Sequence, residues 1–66
     1  MKTNIRYLRQ ELGISQQDLA ENAGVTRQTI NALENGRYNP SLLVAYKITK
    51  ILKCEHIEDV FNMEDD

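Results

Sequence analysis

Residues 16–33 read QQDLAENAGVTRQTINAL, and the spacing inside this stretch decides the fold. Leu19, Ala20 and Ala23 recur on one face of a helix. Ile30 and Leu33, three apart, mark the inner face of the next one. Gly24 lies between them, at a sharp turn where positive φ favours glycine. Ala20 puts a small side chain where the two helices cross, so their backbones approach closely. Leu19, Ala23, Val25, Ile30 and Leu33 are the expected buried positions around the turn. Thr26 is placed to cap the second helix, which then turns Arg27, Gln28, Thr29, Asn31 and Asn35 outward. An anchoring helix, a tight turn and a second polar-faced helix form a helix-turn-helix over residues 16–35. That geometry suits the major groove of DNA.

Helical spacing continues on both sides. Upstream, Ile5, Leu8 and Leu12 recur at i, i+3 and i+7, and Gly13 is a natural stop. Ser15, with Asp18 three residues on, predicts a capped start to the following helix. Downstream, Gly36 is the next stop, and Asn39-Pro40-Ser41 opens a fourth helix with Ser41 or Asn39 as its cap. Leu42, Val44, Ala45, Ile48, Ile51 and Leu52 predict its broad apolar face. Ile57, Val60 and Phe61 predict a short fifth helix with Glu58 and Asp59 outward. The ends, Met1–Thr3 and Asn62–Asp66, carry weak signals that fit a short terminal β-ribbon. The expected fold is all-α: a compact five-helix bundle, one domain over residues 1–66, with a dimerisation segment at 51–66.

Sixty-six residues, 41% hydrophobic and 27% charged, suit one small globular domain. A chain of this size buries only about 60% of its unfolded surface, so a partner would help it. One Cys and one His exclude a disulfide framework and cannot close a zinc site alone. No metal or cofactor is expected. No apolar run approaches the ~18 residues of a membrane span, and no signal-peptide core opens the chain, which points to the cytoplasm. The formal net charge of −2 hides an asymmetry. Residues 1–53 carry all eight Lys and Arg against Glu11, Asp18, Glu21 and Glu34, a net +4. Residues 54–66 carry six acids and no Lys or Arg. A basic body with an acidic end fits polyanion binding by one face, or simply a solvated acidic terminus.

Three segments together resemble the Cro/C1-type (XRE family) helix-turn-helix regulators. They are LRQELGISQQDLA at Leu8–Ala20, VTRQTINALENGRYNPS at Val25–Ser41, and the helix LLVAYKITKILK that follows. The resemblance covers roughly residues 4–61 and is greatest to the family's short, single-domain dimeric members. It implies a lambda-repressor-like DNA-binding domain that binds double-stranded DNA. It also implies backbone phosphate contacts by Gln16 and by residues from Asn35 to Ser41. Finally, it implies a structural ion pair between Arg9, in the first helix, and Glu34, late in the third.

The side-chain chemistry agrees with that direction. Gln28 and Asn31 carry amides that match the N7 and N6 edge of adenine, and they lie one turn apart on one face. Arg27 suits a fork onto guanine or a clamp on phosphate. Thr29 offers a methyl to thymine. Gln16 and Gln17 open the anchoring helix, whose N-terminal amides favour an anion. Asn35, Arg37, Tyr38, Asn39 and Ser41 form the far rim, although Tyr38 equally suits packing beside Pro40. Cys54 and His56 have no catalytic partners in sequence, and no enzyme motif is present.

The function expected from these residues is a sequence-specific transcriptional regulator, a repressor that binds an inverted repeat as a homodimer. Ile57, Val60, Phe61 and Met63 are its expected dimer interface, as more apolar side chains than a short terminal helix can bury. The alternative is an antitoxin-like or antirepressor-like module that holds a regulatory protein.

Overall fold

The computed structural model describes residues 1–62. Two short strands, β1 (Lys2–Thr3) and β2 (Phe61–Asn62), bracket four helices: α1 (Ile5–Leu12), α2 (Gln16–Ala23), α3 (Arg27–Glu34) and α4 (Leu42–Ile51). A single 3-10 turn at Ile57–Asp59 joins α4 to β2. The strands pair antiparallel with Lys2 opposite Asn62 and Thr3 opposite Phe61, which ties the two ends of the described chain together. Asn4 strengthens the closure: its backbone N–H donates to the Val60 carbonyl at 2.8 Å and its side-chain amide to the Asp59 carbonyl at 3.1 Å.

The helix starts follow local chemistry. Ser15 Oγ accepts from the Asp18 N–H at 2.9 Å, while Asp18 Oδ2 accepts from the Ser15 N–H at 3.2 Å, a reciprocal capping box. Thr26 Oγ1 accepts from the Thr29 N–H at 3.1 Å, and Ser41 Oγ from the Val44 N–H at 3.2 Å. Gly24 closes α2 with φ +73°, as the turn requires. Gly36 has φ +69° and is glycine for a second reason: an added Cβ would strike the Met1 carbonyl oxygen. The end of α4 has the same left-handed exit without a glycine, at Lys53 with φ 61°.

The core joins every layer. Ile5, Leu19, Ala20, Ala23, Ile30, Leu33, Ala45, Ile48, Leu52, Val60 and Phe61 are all buried. Thr49 is buried beside them, its hydroxyl satisfied by donation to the Ala45 carbonyl at 2.7 Å. Leu8, Ile14, Val25, Val44, Ile51, Cys54 and Ile57 pack half-buried around this centre.

Several expectations need correction. The fifth helix is only the three-residue turn Ile57–Asp59. Beyond it the chain must become extended to pair with β1, and an α-helix cannot do that. Val60 and Phe61 therefore do not remain exposed for a partner: they are 0% and 1% accessible. Ile57 is half-buried, and Met63 lies outside the described residues. Leu42, assigned to the inner face of α4, is 78% exposed, because the buried face of that helix runs through Ala45, Ile48 and Thr49. Leu12 also lies at the surface rather than in the inner face of α1, and Val25 is half-buried rather than buried.

Candidate nucleic-acid interface

The second helix of the motif, α3, is held from behind by Ile30 and Leu33, both fully buried. Its outer face is polar. Arg27, Gln28 and Asn31 are exposed. The Gln28 side chain makes no hydrogen bond to any described residue, so both ends of its amide are open. The Asn35 side-chain amide donates to the Asn31 carbonyl at 2.8 Å and lies 3.4 Å from Asn31 Oδ1, which steadies Asn31 from the helix end. Thr29 is less available than its neighbours. It is half-buried, and its hydroxyl lies 3.0 Å from that of Thr26, as part of the helix start.

The rim residues divide into two groups. Gln17, Arg37, Tyr38, Asn39 and Ser41 are exposed. Of these, Gln17 is engaged by Glu21 Oε2 at 2.9 Å, and the Ser41 hydroxyl caps α4. Tyr38 is 48% exposed and shares an open hollow with Pro40, Leu42, Ala45, Ile57 and Phe61. Gln16 is half-buried, with its amide turned into the protein.

Glu34 is the centre of that inner cluster. Its side chain is 0% accessible, and Arg9 Nε donates to its Oε2 at 2.8 Å. Arg9 Nη2 reaches Oε1 at 3.5 Å and Arg9 Nη1 donates to the Ile14 carbonyl at 3.0 Å. The cluster thus contains the Arg9–Glu34 pair, with two additions. Arg6 Nε donates to Glu34 Oε1 at 3.3 Å and Gln16 Nε2 to the same oxygen at 3.0 Å. The Arg6 contribution was missed by the sequence reading. The signal for it was its spacing of three from Arg9, which sets the two cations on one side of α1. Burial by itself would raise the Glu34 pKa. The hydrogen bonds from Arg9, Gln16 and Arg6, with the Arg9 charge, outweigh it and hold the group below its usual 4.5.

Elsewhere, burial and the Asp59 carboxylate push the Cys54 thiol up, away from a reactive thiolate. Among the described residues, no three His, Cys, Asp or Glu side chains gather in a way that could hold a metal ion. No helix there is long and apolar enough to cross a membrane.

Known proteins share this arrangement. The helix-turn-helix family model HTH_3 matches residues 5–58. An uncharacterized HTH-type transcriptional regulator of Methanothermobacter thermautotrophicus is 58% identical over 66 residues, which cover 100% of this chain and 96% of the relative. The uncharacterized HTH-type transcriptional regulator YgzD of Bacillus subtilis is 48% identical over the whole chain and 98% of its own length. Among solved structures, the restriction-modification controller protein C.AhdI of Aeromonas hydrophila superposes with a TM-score of 0.76 at 33% identity, covering 86% of this chain and 85% of that one. A chain of the SinR–SinI protein complex superposes with the same TM-score of 0.76 at 27% identity, covering 92% of this chain and 59% of that one.

Proposed function

The chain belongs to the Cro/C1-type (XRE) helix-turn-helix family, whose members are DNA-binding transcriptional regulators; on that premise we propose that it is a repressor that reads an inverted-repeat operator as a homodimer, with α3 in the major groove. The observation that carries the reading is the outer face of α3. Arg27, Gln28 and Asn31 stand exposed on a helix whose opposite side is locked into the core. These are side chains whose donors and acceptors match base edges. Gln17, Asn35, Arg37, Tyr38, Asn39 and Ser41 flank that face as the phosphate-contacting rim, and Thr29 lends its methyl to a thymine. Residues 1–66 act as one domain in this reading.

Replacing Gln28 or Asn31 with alanine should cost about 1–3 kcal/mol on the operator and much less on random duplex. Fluorescence anisotropy with both DNAs, repeated from 50 to 200 mM salt, separates the terms. Affinity for either DNA should fall steeply with salt, through release of counterions from the phosphates. Equal losses on the two DNAs would show that the amides only position the backbone.

The homodimer supplies what one short helix lacks. A single α3 contacts a few base pairs, whereas two set about 34 Å apart reach successive turns of the same duplex face. With Val60 and Phe61 inside the core, a cluster of exposed apolar side chains among the described residues that could meet a second copy is on α4. Leu42, Leu43 and Tyr46 are 78%, 62% and 53% exposed, beside the hollow that Ile57 lines. A twofold contact would bury this patch against its own copy. The Leu43→Glu variant should keep its helix content, sediment as a monomer and lose most operator affinity. A wild-type chain that stays monomeric at micromolar concentration, alone and on its operator, would refute the homodimer. It would turn attention to a regulatory protein as the occupant of the same patch.

A further inference from the structure

The chain has six asparagines, and one of them, Asn35, precedes a glycine. That pair is chemically labile. The backbone nitrogen of a glycine is unhindered and can attack the side-chain amide carbon of the residue before it. Asn4, Asn22, Asn31 and Asn62 precede residues that carry a Cβ, and Asn39 precedes Pro40, whose nitrogen has no proton to lose. The structure holds each half of the labile pair for a separate reason. Gly36 has φ +69°, and an added Cβ would strike the Met1 carbonyl oxygen. Asn35 is exposed at the end of α3, and its amide donates to the Asn31 carbonyl at 2.8 Å. The same turn restrains the reaction. The Gly36 N–H donates to the Leu33 carbonyl at 3.1 Å, and the Arg37 N–H to the Ala32 carbonyl at 2.9 Å. Ring closure needs Cβ of Asn35 and the Gly36 nitrogen eclipsed about the Cα–C bond, and ψ 7° at Asn35 keeps them apart. Attack therefore requires the last turn of α3 to open.

Building on the DNA-binding reading above, we propose that Asn35 is a deamidation site gated by the end of α3, whose conversion silences the DNA-binding face and whose rate falls while DNA is bound. In the open turn the Gly36 nitrogen bonds to Asn35 Cγ and gives up its proton. The bond from Cγ to the side-chain nitrogen breaks, and that nitrogen takes a proton and leaves as ammonia. Water then opens the cyclic imide at either carbonyl, which yields aspartate or isoaspartate at position 35. Either product sets a carboxylate where the fold has an amide donor to the Asn31 carbonyl. It also places negative charge at the C-terminal end of a helix and on the proposed phosphate rim, and both oppose it. Isoaspartate adds one carbon to the backbone just before Gly36, at the close approach to Met1. DNA lying across α3 and this rim favours the closed turn, so bound copies are spared and free copies age.

The test incubates the full chain in mildly alkaline buffer: alone, in guanidinium, and with a duplex enriched from a random library by the wild-type protein. Peptide mass mapping follows conversion at every asparagine. Position 35 should convert faster than any other, and faster in guanidinium than in the folded protein. Duplex at about ten times its dissociation constant should slow the folded-state conversion about tenfold. The converted fraction, separated by anion exchange, should bind that duplex about tenfold more weakly, the scale of one lost hydrogen bond with a repelled charge. Freshly made Asn35→Asp should reproduce the weaker binding with a thermal midpoint within a few degrees of wild type. Faster conversion at another asparagine would overturn the site, and equal rates with and without guanidinium would overturn the gate. Converted protein that binds as tightly as fresh protein would overturn the silencing, as would a midpoint collapse in Asn35→Asp, which marks loss of the fold instead. An unchanged rate under bound duplex would overturn the protection. A wild-type protein that enriches no duplex would overturn the DNA-binding reading, while the mapping without DNA still decides the site and its gate.

Discussion

Truncating Phe61 to alanine is expected to remove about 3–5 kcal/mol of stability, the range for emptying a large aromatic site in a core. A domain of this size holds only about 3–10 kcal/mol in all, so the variant should lose much of its stability. Phe61 is 1% exposed and is the bulkiest of the fully buried side chains. Its strand position opposite Thr3 means that the cavity would open directly under the closure of the two chain ends. Urea unfolding followed by circular dichroism, at one fixed protein concentration, measures the loss. The comparison with Leu43→Glu is decisive. Substituting an interface side chain would leave the stability of the folded monomer largely intact, whereas Phe61→Ala should remove much of it. A loss below about 1 kcal/mol would contradict the buried assignment.

Replacing Arg9 with alanine should cost about 3 kcal/mol, because it strands the Glu34 carboxylate in a site closed to water. Arg6 remains as a cation, but it is 57% exposed and reaches one oxygen only, which places the loss at the low end of the usual range. Acid should act through the same group. The folded protein holds Glu34 below its ordinary 4.5, so the pair contributes fully above that pH. The contribution fades as pH falls through the lower folded value. Unfolding curves from pH 7 downward should show wild type losing stability below 4.5 more steeply than Glu34→Gln, which has no proton to take up there. Parallel curves would remove Glu34 from the acid response.

The sequence alone determined the helical skeleton, because the signals are local. Ser15, Thr26 and Ser41 each accept from the backbone N–H three residues on, and Gly24 meets the turn's demand for positive φ within its own residue. The polar outer face of α3 was legible for the same reason: Ile30 and Leu33 fix which side turns inward, and the rest follows from 3.6 residues per turn. The third dimension decided what no spacing encodes. A short mixed segment such as Ile57–Phe61, with three apolar side chains around Glu58 and Asp59, fits a helix or a turn leading into a strand. The antiparallel pairing with residues some sixty positions away selected the second and carried Val60 and Phe61 inside. Leu42 and Ala45 are both apolar on the same helix, and only the packing of α4 against its neighbours showed which one meets the core. The Glu34 cluster gathers Arg6, Arg9, Gln16 and Arg27 from three helices. In the sequence Gln16 was a phosphate-contacting candidate at a helix start. Only the fold shows its amide donating to a buried carboxylate eighteen residues away.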